Sequence, residues 1–214
     1  MTTNVLGRTN HSYPRIWASL GVSSDTSPED LVSSVRTLNI PIDVSSQPAL
    51  WGGFLRGGTD ILSVKSSVHY ERATSQDHAT DLMQAHLIEV LSSVGREMID
   101  FYFLRVRRVV EEYQINGALA ALEFAKQEGH VKHIGIAVDG PILAVQSVWQ
   151  FHDGFEVAMM NPADQPLASM ANERRVGVVY SVSHDFPDRN LADTYLVQVN
   201  SSDQVRKLLG VPTC

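Results

Sequence analysis

The amino-acid sequence predicts an α/β protein, a compact (β/α)8 TIM barrel with short helices and loops, and three observations carry that prediction. Short apolar runs alternate with amphipathic stretches along the chain, the pattern of parallel strands covered by helices. Eight apolar runs can be counted, the number that closes such a barrel. No low-complexity linker interrupts them, so 1–214 reads as a single domain, and 214 residues sits near the bottom of the roughly 200 to over 400 residues such barrels use.

The candidate strands are 15–20, 40–44, 60–65, 99–105, 133–138, 156–160, 177–181 and 195–199. After the first, Ser27-Pro28-Glu29-Asp30 places a capping hydroxyl before a first-turn proline and two acids, which starts a helix. After the second, Trp51-Gly52-Gly53-Phe54-Leu55 reads as a short helix. The stretch 77–94 carries Leu82, Ala85, Leu87, Ile88, Val90, Leu91 and Val94, close to the spacing of a helix with one buried face. The stretch 117–128 carries Leu119, Leu122, Phe124 and Ala125, and Gly129 stands where a left-handed residue stops a helix. Ser202-Asp203 opens a last helix over 205–209.

Composition narrows the function classes. Seventeen Lys+Arg against 24 Asp+Glu give a net charge of −7, and the basic cluster is limited to Arg105, Arg107 and Arg108, so no nucleic-acid or anionic-membrane surface is expected. One cysteine, Cys214, excludes a disulfide framework and a multi-cysteine metal site. No stretch approaches the roughly 18 apolar residues of a membrane span, and the N-terminus lacks a signal-like apolar core, so a cytoplasmic protein is expected. No His/Asp/Glu set has metal-ligand spacing, since His184-Asp185 alone does not suffice, and no metal is expected.

Barrels of this kind carry chemistry at the C-terminal ends of their strands. The residues found there are Asp43, Ser45, Ser46, Lys65, Ser66, Arg105, Arg107, Asp139, Asn161, Asp164, Ser181, Ser183, His184, Asn200 and Ser201.

Several segments resemble the aldo-keto reductases. They are Leu6-Gly7-Arg8-Thr9, Ile42-Asp43, Ser63-Val64-Lys65, Met98-Ile99-Asp100-Phe101-Tyr102, Ala121-Leu122-Glu123, 129–135, Tyr180-Ser181 and Ser202-Asp203-Gln204-Val205. The resemblance implies an active site of Asp, Tyr, Lys and His, in which the tyrosine protonates a carbonyl while a nicotinamide delivers hydride. Asp43 matches the Asp and Lys65 the Lys, whereas the Tyr position falls on Pro48 and the His position on Arg105. Ala137, Val138 and Val157 stand where the family hydrogen-bonds the nicotinamide amide, and none can do so through its side chain. Tyr180 matches the stacking aromatic, and Asn200 replaces the arginine expected for a 2′-phosphate, with Arg206 a substitute. If NADP(H) binds, Tyr180, Ser181, Asn200 and Ser201 are the residues implied to contact it.

The mouth residues have competing readings. Asp43 and Lys65 form either a proton-transfer pair or a structural ion pair. Lys65 could instead form a Schiff base if Arg105 depresses its pKa. Arg105 can fork onto a carboxylate or enolate, or bridge to Asp43. Arg107 and Arg108 read as surface charges. His69, Tyr70 or His184 could replace the missing acid, or be solvated loop residues. Trp51 is a helix residue docked on the barrel or an apolar wall for substrate, and Asn161 is a substrate contact. His78, His86, His130, His133 and His152 read as structural. The expected function is proton transfer, as in a cyclase, dehydratase or isomerase, on a small carbonyl-bearing or anionic molecule without a cofactor. The alternatives are an NADP(H)-dependent oxidoreductase with Tyr70 as acid, and a non-catalytic binding barrel.

Overall fold

The chain opens with a feature absent from the expected strand list. In the computed structural model, which describes residues 3–183 and 194–209, β1 (Thr3–Val5) and β2 (Ser12–Pro14) form an antiparallel hairpin. The eight expected strands then follow as β3 (Ile16–Leu20), β4 (Ile42–Asp43), β5 (Leu62–Lys65), β6 (Ile99–Val106), β7 (Val131–Val138), β8 (Val157–Met160), β9 (Gly177–Val182) and β10 (Thr194–Val199). They close into one parallel barrel in the order β10-β3-β4-β5-β6-β7-β8-β9.

Among the described residues, seven α-helices alternate with these strands: α1 (Pro28–Arg36), α2 (Pro48–Leu55), α3 (Gln76–Val94), α4 (Glu112–Gln127), α5 (Ile142–Phe151), α6 (Gln165–Glu173) and α7 (Ser202–Leu209). Ser27 caps α1, its hydroxyl accepting the Asp30 N–H at 3.1 Å. Ser75 caps α3 in the same way through His78. The long helices are α3 and α4, of 19 and 16 residues, and α3 covers the stretch 77–94 read as helix from its periodicity. Gly129, at φ 80, ends the α4 region in the left-handed conformation expected of it. No helix among the described residues is long and apolar enough to cross a membrane.

Both faces of the sheet are buried, as a parallel barrel requires. On β6, Phe101 and Phe103 face the interior with Trp17, Val157, Met159, Val179 and Leu196, while Tyr102, Leu104 and Val106 face the helices. Leu6 and Tyr13, on either side of the first hairpin's turn, join the interior cluster and plug its N-terminal end. Aromatic rings therefore fill the lower barrel, and open space is left at the C-terminal mouth. The same two-residue alternation carries Arg105 into that mouth.

Candidate active site

A cavity of about 170 Å3 opens at the mouth, lined by Lys65 from β5, Ala137 and Asp139 at the end of β7, Met159 and Asn161 at the end of β8, and Ser181 on β9. Three residues singled out in the sequence, Lys65, Asn161 and Ser181, thus share one wall. Asp139, in sequence only one of the strand-end residues, is the wall residue whose part is least legible there. The β6–β7 pairing continues past Val138, with the Asp139 N–H donating to the Val106 carbonyl at 3.0 Å, and this sets Asp139 beside Arg105. The Arg105 Nε donates to Asp139 Oδ2. The expected bridge from Arg105 to Asp43 is therefore corrected to Arg105–Asp139. A signal for it was present in the sequence, an acid one residue beyond the strand paired to the one that ends in arginine.

Asp43 lies beneath this wall, 1% exposed. Its Oδ2 accepts the hydroxyls of Ser45 at 2.8 Å and Ser63 at 2.9 Å, and its Oδ1 accepts the Ser45 N–H at 3.3 Å and the Ser19 hydroxyl at 3.4 Å. Burial pushes its carboxyl above the ordinary value, and the Lys65 charge and the serine bonds only partly oppose this. Lys65 is tied to the network through its backbone, whose N–H donates to Ser45 Oγ at 2.7 Å. Among the described residues Asp43 and Lys65 form no salt bridge, and the Lys65 charge acts on Asp43 from beyond contact distance. Enclosed in this way, Asp43 cannot touch a molecule in the cavity, which corrects its expected role as an acid–base partner of substrate.

Other expected roles are also corrected. Tyr70 is fully buried and donates its hydroxyl to the Arg105 carbonyl at 2.8 Å. Burial, with the Glu71 charge, pushes its pKa up, so it is a brace for the Arg105 strand and not an acid facing the mouth. His69 is exposed on the short turn His69–Arg72 and stands near His86 on α3. Trp51 is 1% exposed in the helix–barrel core, with its Nε1 donating to the Ser46 carbonyl at 2.9 Å, so it offers no wall to substrate. Arg107 and Arg108 lie on the surface as expected, and both also pair with buried Glu71 at 3.4 and 3.3 Å.

Tyr180 packs on the outer layer with its ring 5.7 Å from that of Tyr195, and the stacking role over the mouth is corrected accordingly. The Asn200 N–H donates to Gln204 Oε1 at 2.6 Å, and Ser201 Oγ accepts the Gln204 N–H at 3.3 Å at the start of α7. Arg206 pairs with Asp203 at 3.4 Å. Asn161 Oδ1 accepts the Ala163 N–H at 2.9 Å, which leaves its amide nitrogen for the cavity. His184 lies outside the described residues. Among the described residues there is no cluster of three His, Cys, Asp or Glu side chains able to hold a metal ion.

The sequence matches no family model and no curated protein. Solved structures do match. An aldo-keto reductase of Bacillus halodurans in its holo form superposes with a TM-score of 0.75 at 15% identity, covering 100% of this chain and 92% of the other. An aldo/keto reductase of Brucella melitensis gives 0.74 at 11%, covering 97% and 92%. The aldose reductase of Schistosoma japonicum gives 0.74 at 12%, covering 97% and 85%. Identities this low speak for architecture alone, and with the closed parallel barrel they show that the chain shares the barrel fold of these reductases over nearly its whole length.

Proposed function

We propose that the barrel mouth binds a small anionic carbonyl compound and moves a proton on it, with Asp139 as base and Lys65 as the group that holds the developing enolate oxygen. The observation that carries this reading is the meeting of Lys65, the Arg105–Asp139 pair and the Asn161 amide around one small cavity. Arg105 engages one oxygen of Asp139, which orients the carboxylate and leaves the other oxygen able to take a proton from a carbon beside the carbonyl. The Lys65 ammonium and the Asn161 amide are donors for the oxygens of such a substrate. Asp43 acts through Ser45 and Ser63, fixing the β4–β5 backbone from which Lys65 projects. Known ligand pockets for drug-sized molecules run from roughly 300 to 1,000 Å3. A cavity of about 170 Å3 suits a molecule of only a few heavy atoms.

The residues present do not fit a nicotinamide dinucleotide held in the family's manner. Ala137 and Val138 have no polar side chain, Val157 is buried in the interior cluster, Tyr180 faces the outer layer, the Ser201 hydroxyl serves the turn into α7, and Asn200 brings no positive charge to a 2′-phosphate. A second reading, NADP(H)-dependent carbonyl reduction, is favoured by the matched structures being named reductases. The two readings separate in one experiment. Three- to five-carbon oxo acids are incubated with the protein in D2O and followed by proton NMR, with and without NADPH. Protein-dependent exchange beside the carbonyl without NADPH is expected, reduced about a hundredfold or more in Asp139→Asn and Lys65→Ala. NADPH consumption, or exchange unchanged in Asp139→Asn, would establish the other reading or remove this one.

A further inference from the structure

A cleft of about 410 Å3 opens on the outside of the barrel between α2 and α3, with Pro48, Leu50 and Val90 among its walls and His86 as a polar member. We infer that this cleft is a second ligand site, which takes an uncharged, mainly apolar molecule through one oxygen acceptor bound to the Nε2–H of His86.

The inference rests on how His86 is held. Tyr102 faces outward from β6, is fully buried, and meets His86 Nδ1 through its hydroxyl, which has no other partner among the described residues. A buried hydroxyl left without an acceptor loses its hydration and regains nothing. The Tyr102 O–H therefore donates, and Nδ1 must be the bare, accepting nitrogen. In a neutral imidazole the proton then sits on Nε2, at the opposite edge of the half-buried ring. Burial lowers the pKa of His86, and His69 adds to this against the opposing charge of Glu89, so the ring is neutral near pH 7. The result is a donor of fixed direction in the cleft wall, unlike the rotatable Gln47 amide and Ser93 hydroxyl that also line it, and a fixed polar group among apolar side chains is how ligand pockets set orientation.

The ligand class follows from the same groups. Glu89 lines the cleft and repels carboxylates and phosphates. A cation or a donor group drawn to Glu89 gains nothing from His86, whose outward nitrogen carries a proton and no lone pair. A neutral carbonyl oxygen on an apolar body satisfies both conditions. His86, read as structural from sequence, is held at Nδ1 alone, and its Nε2 has no partner among the described residues.

N,N-dimethylbenzamide, an uncharged acceptor without a donor, is a suitable probe, and cumene is its counterpart without the acceptor. Long-range proton–nitrogen spectra of protein labelled in histidine should show the Nε2–H form at His86. Titration with the amide should saturate, with the His86 signals moving most, and cumene should bind more weakly. His86→Phe should weaken amide binding about three- to tenfold, the worth of one neutral hydrogen bond, while His86→Gln, which keeps a donor at the matching position, should restore it. Lys65→Ala should leave it unchanged, which separates this site from the proposed chemistry at the mouth. An Nδ1–H form at His86, no saturation up to the solubility limit, equal binding by His86→Phe, or loss in Lys65→Ala would each overturn the inference. The spectrum of the unmodified protein decides the tautomer even if a variant fails to fold.

Discussion

Tyr70 shows how much one hydroxyl decides. From sequence it stands near Lys65 and could supply an acid in place of the one that Pro48 displaces. In the fold its hydroxyl is spent on the Arg105 carbonyl, and the ring is packed in the layer between barrel and helices. Tyr70→Phe should therefore lower stability by about 1–2 kcal/mol, the cost of leaving that carbonyl without its partner. Turnover of any substrate found should fall no more than severalfold. Urea denaturation measures the first effect, and kcat the second. A hundredfold loss in kcat with unchanged stability would instead restore Tyr70 as an acid. The difference between Tyr70 and Lys65 was not readable in the sequence, because the direction of a loop side chain depends on what packs over it, whereas a strand side chain obeys a period of two. Strand periodicity therefore carries Lys65 and Arg105 to the mouth, while the places of Tyr70 and Tyr180 in the outer layer are settled only by packing.

At the scale of elements, long segments with a clear period were legible and short or irregular ones were not. All eight barrel strands lie within or beside the apolar runs that identified them, but β4 shrinks to Ile42–Asp43 between Pro41, which has no N–H to pair, and the turn at Ser45. The start of α4 precedes the apolar periodicity. Its capping box uses Glu111 and Gln114 where Ser or Thr is the usual signal. Gly117 explains why a helix this long carries glycine. A Cβ there would lie 2.2 Å from the Gln76 carbonyl oxygen and 2.7 Å from Ala79 Cβ, at the crossing of α3 and α4. Alanine is favoured over glycine inside a helix by about 1 kcal/mol. The clash is with backbone and exceeds that gain, so Gly117→Ala should destabilise the protein by about 1–3 kcal/mol in chemical denaturation. A stabilised variant would mean that the two helices separate at little cost.

The whole molecule is closed at one end and open at the other, and its closed end was the least legible part, since three-residue strands leave almost no periodic signal. The plug is held by polar contacts on its rim. Tyr13 OH meets His133 Nε2 at 2.8 Å, His133 Nδ1 meets Glu156 Oε2 at 3.0 Å, and Glu156 Oε1 accepts Lys126 Nζ at 2.6 Å. Arg8, from the hairpin turn, donates to the Arg174 and Asp153 carbonyls at 2.8 and 2.6 Å. Burial pushes the Glu156 carboxyl up, but the bonds and charges of His133 and Lys126 outweigh it and hold the group below its ordinary value. The unfolded chain then binds this proton more readily than the folded one. Glu156 contributes stability above about pH 4.5, and that contribution is lost as pH falls through the lower folded value. Asp43, at the other end of the barrel, has a raised carboxyl and the opposite slope, so the pH profile of the unmodified protein mixes the two. The difference between Glu156→Gln and the unmodified protein removes the Asp43 contribution. Urea denaturation of both from pH 3 to 7 should show the variant less stable near neutrality and the gap closing in acid. A gap that stays constant across that range would mean that the plug is held by packing of Leu6 and Tyr13, with no share from the Glu156 charge.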